Sequence, residues 1–102
     1  MELIIDKLIV EEDRPAHIAK HKLTLKDVEE VLKGDYVCIR GKLNRWLLIG
    51  KTKKGKFLTV IVGLRKQKNV YGLVTARPAD KEEQGIYREF SLLGGEENGQ
   101  NN

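Results

Sequence analysis

The hydrophobic period of this chain changes once, at Asp35, and that change decides which class of fold is open to it. Before it, Leu25, Val28, Val31 and Leu32 recur at three- and four-residue spacing, which puts them on one helical face. Thr24 precedes the run as an N-cap, Asp27 follows as the partner in a variant capping box, and Gly34 supplies a stop. After it the period falls to two. Residues 36–40, 45–52, 57–65 and 70–76 read as four strands. The joints at 41–44, 53–56 and 66–69 are too short for crossover helices, so the strands form an antiparallel meander. Gly55, inside the Lys-rich middle joint, suits a backbone position with positive φ.

The ends of the chain add to this frame. Leu3-Ile4-Ile5 and Leu8-Ile9-Val10 predict an N-terminal strand interrupted near Asp6-Lys7, and Pro15 opens a short helix over 16–21. Pro78 stops the last strand. Asp80 with Glu83 makes a second capping box, and Ile86, Phe90 and Leu93 are expected to turn toward the sheet, with Gly85 a weak point inside that helix. The reading is one α+β domain over 1–93: a four-stranded antiparallel meander plus an N-terminal strand, two N-terminal helices and one C-terminal helix, with the helices packed on one face. Residues 94–102 carry no apolar side chain and are expected to be a disordered polar tail.

Charge is distributed unevenly along this frame. No Asp or Glu lies between Tyr36 and Ala79, while eleven Lys and Arg do, giving that segment +11. Residues 1–35 hold six basic against nine acidic residues, and 80–102 two against six, so the flanks carry −3 and −4. A polyanionic partner accounts for such a segment, because neutralising phosphates releases counterions. A charged strand face that blocks sheet aggregation is the other account. The lone Cys38 excludes an internal disulfide and a cysteine-based metal or redox motif, and fits a cytoplasmic setting. No stretch approaches the roughly 20 apolar residues of a membrane-spanning helix, so no membrane association is expected.

Several side chains are candidates for chemistry. Arg77 ends the last strand, where an arginine either binds a scissile phosphate bidentately or pairs with Glu82, Glu83 or Glu89. His17 and His21 share a helical face at i, i+4 but lack a nearby third ligand, so no metal is assigned. His21 beside Lys20 suits proton transfer near a phosphate, or a backbone bond at a helix junction. Lys51, Lys53, Lys54 and Lys56 surround one hairpin turn, as either a solvated tip or a backbone-tracking groove. Trp46 and Tyr71 are candidate stacking groups. Tyr87 borders the apolar stripe of the last helix, for packing or for catalysis. Gly-rich phosphate loops, paired carboxylates and serine or cysteine nucleophile arrangements are absent from the sequence.

Taken in order, His17-Ile18-Ala19-Lys20-His21, Leu23-Thr24, Val28-Glu29-Glu30-Val31-Leu32, Arg45-Trp46-Leu47-Leu48-Ile49-Gly50, Lys54-Gly55-Lys56, Val74-Thr75-Ala76-Arg77-Pro78-Ala79-Asp80, Glu83 and Tyr87-Arg88-Glu89 resemble the BrnT family of type II toxin–antitoxin toxins. That family is itself similar in fold to RelE ribonucleases, and the resemblance covers about residues 8–90. Where the family generally has an aromatic residue and an Asp before its first helix, this chain has Val10 and Glu11. The resemblance implies a RelE-like α+β fold, metal-independent mRNA cleavage without a cofactor, and an antitoxin protein as partner.

Together these readings set the expectation of an endoribonuclease acting on RNA, free or on the ribosome. Arg77 and Arg65 would hold phosphate, Lys51 or Lys53 would stabilise charge, and His21 or Tyr87 would assist proton transfer to or from RNA whose own 2′-hydroxyl attacks. Arg45, Lys51, Lys53, Lys54 and Lys56 would bind the RNA backbone. Lys51, Lys53, Lys54, Lys56, Arg65 and Arg77 are expected on one continuous positive surface, and Arg77→Ala is expected to lose activity while keeping its melting temperature. A non-catalytic RNA- or ribosome-binding module, and a pure protein-interaction partner for an acidic antitoxin, are the competing classes.

Overall fold

The expected helices and the four meander strands form, but the N-terminal strand is confined to Lys7–Ile9, with residues 3–5 outside it and Lys7 within it rather than at a break. The computed structural model describes the backbone of residues 3–100 and the side chains of 3–90. The order is β1 (Lys7–Ile9), α1 (Arg14–Ala19), α2 (Leu25–Lys33), β2 (Tyr36–Arg40), β3 (Arg45–Lys51), β4 (Phe57–Leu64), β5 (Val70–Pro78) and α3 (Lys81–Gln100). α3 carries the backbone as helix through Gln100, where the sequence reading expected a disordered tail from residue 94. The Leu93 side chain and residues 101 and 102 lie outside the described residues.

The five strands form one sheet in the order β1-β5-β4-β3-β2. β2 to β5 are the antiparallel meander, with Cys38 opposite Leu48, Leu48 opposite Val60, and Thr59 opposite Arg77. β1 adds to the far edge in parallel, Ile9 opposite Gly72. The local signals act as their chemistry requires. Thr24 and Asp27 complete a reciprocal capping box, Gly34 caps the end of α2, and Gly55 takes φ +87° in the β3–β4 turn. α1 begins earlier than expected, at Arg14, with Pro15 in its first turn. It ends before His21, because Lys22 turns the chain at φ +62° and Leu23 returns its N–H to the Ile18 carbonyl.

Strand alternation sorts the sheet into two faces. Ile18, Val28 and Val31 from the first two helices, with Leu23 from the turn between them, pack against Leu48, Leu58, Val60, Val62, Leu73 and Ala76, which form the main core. Leu3, Ile5, Leu8 and Val10 extend that core beneath α2. Residues of the other parity, Ile49, Thr59 and Arg77, point to the opposite face, and there Ile49 and Thr59 are fully buried. α3 buries them: Glu83 accepts a hydrogen bond from the Thr59 hydroxyl, and Tyr87 stacks edge-on against Phe57. The expectation that all helices pack on one face is therefore corrected. α1 and α2 cover one side of the sheet and α3 crosses the other. Phe90, expected to turn inward, is 55% exposed, because α3 meets the sheet through the turns carrying Glu83 and Tyr87.

Candidate nucleic-acid interface

The site is built where β3, β4 and β5 end beneath the first turns of α3. Asp80 accepts from the Glu83 N–H at 2.8 Å, and Glu83 accepts from the Asp80 N–H at 3.0 Å, so the second capping box closes as expected. The same Glu83 carboxylate also takes both terminal nitrogens of Arg77, at 2.7 and 2.8 Å. This bidentate pair holds the Glu83 carboxyl at about 2, with the Asp80 N–H and the Thr59 hydroxyl adding to it against the opposing effect of burial. Arg77 thus pairs with the α3 carboxylate, the second of the two readings its position allowed.

One helical turn further on, Phe57 and Tyr87 meet with ring centroids 5.4 Å apart and planes at 81°. The Lys51 ammonium sits 4.8 Å from the centre of the Phe57 ring and 6.0 Å from that of Tyr87, and the Arg88 guanidinium lies 5.4 Å from Phe57. Two cations held against two half-buried rings are suited to a ligand that is both anionic and flat. Lys53, Lys54 and Lys56 are exposed in the adjoining turn, where the Lys53 N–H donates to Glu30 and the Lys56 N–H to Thr52. Sequence reading had Lys51 and Tyr87 but missed Phe57 and Arg88. Phe57 carried a signal, since it opens β4 beside the lysine run at the same parity as Thr59.

The remaining candidates stand apart from this cluster. Arg65 lies past the other end of β4, six residues beyond Thr59, which is about 20 Å at strand rise. Its guanidinium pairs with Glu11 at 2.9 Å. Arg45 lies at that same end, opposite Gly63, with no carboxylate partner among the described residues. His21 is exposed in the α1–α2 turn, between core residues Ile18 and Leu23, and so belongs to the face away from α3. His17 and His21 do not share a helical face, because α1 ends at Ala19. Tyr71 is buried in the main core and is no stacking group, while Trp46 is half-buried with Arg40 5.5 Å from its ring. No group of three His, Cys, Asp or Glu side chains able to hold a metal ion occurs among the described residues. No described helix is long and apolar enough to cross a membrane.

The expected continuous positive surface is therefore two positive ends of one sheet face. The Lys51 to Lys56 group and Arg88 stand at one end, and Arg45 and Arg65 at the other, with both Arg65 and Arg77 neutralised by carboxylates of the same chain. Short connections do bring the strands side by side, but they also send alternate joints to opposite ends of the sheet.

No protein-family model and no curated protein matches this chain. Among solved structures, the fold is similar to the crystal structure of the Brucella abortus ribonuclease toxin BrnT, with a TM-score of 0.58 and 26% identity. The likeness covers 74% of this chain and 97% of that one. The chain thus resembles BrnT in its mixed α+β architecture of a five-stranded sheet and three helices, as the sequence blocks implied.

Proposed function

We propose that this protein is a ribonuclease toxin of a toxin–antitoxin pair, cleaving RNA at the end of the sheet where Lys51, Phe57, Tyr87 and Arg88 converge. The observation that carries the reading is the Lys51 ammonium held against the Phe57 and Tyr87 rings in a fold similar to a ribonuclease toxin. In the reaction the RNA 2′-oxygen attacks the adjacent phosphorus and the bond to the 5′-oxygen breaks. A 2′,3′-cyclic phosphate and a 5′-hydroxyl remain. Lys51 offsets the extra negative charge of the transition state, and Tyr87 is the proton-transfer group. Arg77 acts as a positioning residue, since its guanidinium fixes the first turn of α3 and with it Tyr87. Lys53, Lys54 and Lys56 hold the RNA backbone on either side, and the antitoxin is an acidic protein that competes for the same surface.

The test is end-mapping of RNA, free and under translation, in the presence of EDTA. New 5′-hydroxyl ends are expected, with DNA left uncut and Lys51→Ala or Tyr87→Phe slowed about a hundredfold at unchanged KM. Cleavage that strictly requires a divalent ion, or the absence of new ends on both substrates, overturns the catalytic reading. The second reading, a non-catalytic RNA- or ribosome-binding module, is favoured by the engagement of Arg77 with Glu83 and by the remote position of His21. It requires that RNA be bound but never cut.

A further inference from the structure

The end of the sheet away from Lys51 carries an apolar patch that the fold leaves uncovered. Leu64 continues the parity of Leu58, Val60 and Val62, so its side chain lies on the face that α1 and α2 cover. Those three are at most 1% exposed, whereas Leu64 is 51% exposed, so the helical cover stops short of it. Trp46, opposite Val62 on β3, is half-buried on the same face and packs against the edge of the core. In the β2–β3 turn the Asn44 carbonyl accepts the Leu64 N–H at 3.2 Å, which ties the turn carrying Leu43 to the end of β4. Leu43 is 83% exposed, more than any other large apolar side chain among the described residues.

The backbone holds that leucine out at a cost. Leu43 has φ 59°, a left-handed conformation that glycine adopts freely and a leucine does not. Strain of this kind persists where a site makes use of it. Around the patch the charges have one sign. Arg40 stands 5.5 Å from the Trp46 ring, Lys42 and Arg45 flank Leu43 in sequence, and Lys66 and Lys68 lie in the β4–β5 turn at the same end of the sheet. None of these five has a carboxylate partner among the described residues. Two acids that reach this end are engaged elsewhere, Glu11 with Arg65 and Asp6 with the Asn69 side chain.

An apolar centre within a charged rim is the anatomy of a protein interface, and tryptophan and arginine are the residues most often found where such interfaces hold tightest. Exposed leucines offer nothing to a phosphate. A second copy of this chain is disfavoured as occupant, because it would set one cationic rim against another. We propose that this patch is the docking surface for an acidic protein segment, one that presents a large apolar side chain flanked by carboxylates. The apolar side chain meets Leu43, Leu64 and the open part of Trp46, and the carboxylates meet the rim. This gives the acidic antitoxin of the proposed function a second anchor, about 20 Å along β3 from Lys51. It rests on the acidic-partner part of that reading and is independent of whether RNA is cut.

The experiment selects random-sequence peptides displayed on phage against the full chain. Peptides with Leu, Phe or Trp between Asp or Glu residues are expected to be enriched, and the best of them should change the emission of Trp46, the single tryptophan of the chain. Leu43→Gly combined with Leu64→Ser should weaken that peptide on the order of tenfold. Leu43→Gly alone relieves the strain, so it should melt no lower than wild type and still bind the peptide more weakly. Replacing Lys53, Lys54 and Lys56 by Ala should keep most of the affinity. RNA cleavage by the double variant should equal that of wild type, so a failure of wild type to cut RNA tells against the proposed function and leaves this interface standing. A selection that enriches no such peptide overturns the inference. So do enriched peptides that bind the double variant as tightly as wild type or leave Trp46 emission unchanged. If the double variant instead loses affinity for single-stranded RNA, or for vesicles of phosphatidylserine and phosphatidylcholine, while keeping the peptide, the occupant is nucleic acid or lipid and the inference fails.

Discussion

Glu83 is the residue on which most of the α3 face depends, since one carboxylate serves Arg77, the Thr59 hydroxyl and the Asp80 N–H. Its folded-state value of about 2 lies below the usual 4.5, so the stabilisation it gives is complete above pH 4.5 and is lost as pH falls toward 2. Urea unfolding of wild type should therefore lose a few kcal/mol over that window, and Glu83→Gln should be less stable at neutral pH but flatter across it. An equal slope in both proteins would refute the assignment. Removing Arg77 instead strands a buried carboxylate, and Arg77→Ala should cost roughly 3–5 kcal/mol. The sequence-based expectation of an unchanged melting temperature is corrected accordingly: it treated Arg77 as a free ligand, and nothing in sequence spacing distinguishes Glu83 from Glu82 or Glu89 as its partner. A smaller gain is available at Thr75, whose hydroxyl is buried with no hydrogen-bond partner among the described residues. Thr75→Val should raise stability by about 1 kcal/mol, read as a shifted urea midpoint at constant slope.

At the scale of elements, the parts of the fold that sequence made legible are those fixed by neighbours in the chain. The boundaries of α2 follow from Thr24, Asp27 and Gly34, and the meander follows from joints too short to cross over. What sequence left open depends on contacts distant along the chain. The parallel seat of β1 beside β5 is one such case, and the side of the sheet taken by α3 is another. Strand alternation alone marks Phe57, Thr59 and Ile61 as one face and Leu58, Val60 and Val62 as the other, yet both rows are largely apolar. Only the Thr59–Glu83 and Phe57–Tyr87 contacts say which row the last helix meets. The β2–β3 hairpin shows the reverse situation, a local choice at odds with its turn. Leu43 and Asn44 adopt φ of 59° and 58°, and Leu43 is 83% exposed. A leucine there carries strain without burial in return, so Leu43→Gly should stabilise the protein by about 1 kcal/mol in thermal or urea unfolding. A loss of stability would mean that the leucine side chain is covered in solution.

For the molecule as a whole, the acid-free segment becomes the four antiparallel strands, and acids reach it only from the chain ends that pack around them. Two of them decide the field. Glu11 neutralises Arg65 and Glu83 neutralises Arg77, whereas the Lys53, Lys54 and Lys56 side chains have no carboxylate partner among the described residues. The long-range attraction for a polyanion should therefore originate at the β3–β4 turn rather than along the whole sheet. Each phosphate neutralised by a lysine releases counterions and contributes about 0.7 to the dependence of log affinity on log salt for a single strand. Replacing Lys53, Lys54 and Lys56 together by Ala should lower that slope by about 2, equally for all RNA sequences, because phosphate contacts carry no base information. Arg77→Lys, whose charge was already matched by Glu83, should leave the slope where it is. Fluorescence anisotropy over a salt series measures both. If the triple variant keeps its slope, or the change depends on RNA sequence, the turn is only a solvated tip and the uneven charge of this chain must serve a partner other than RNA.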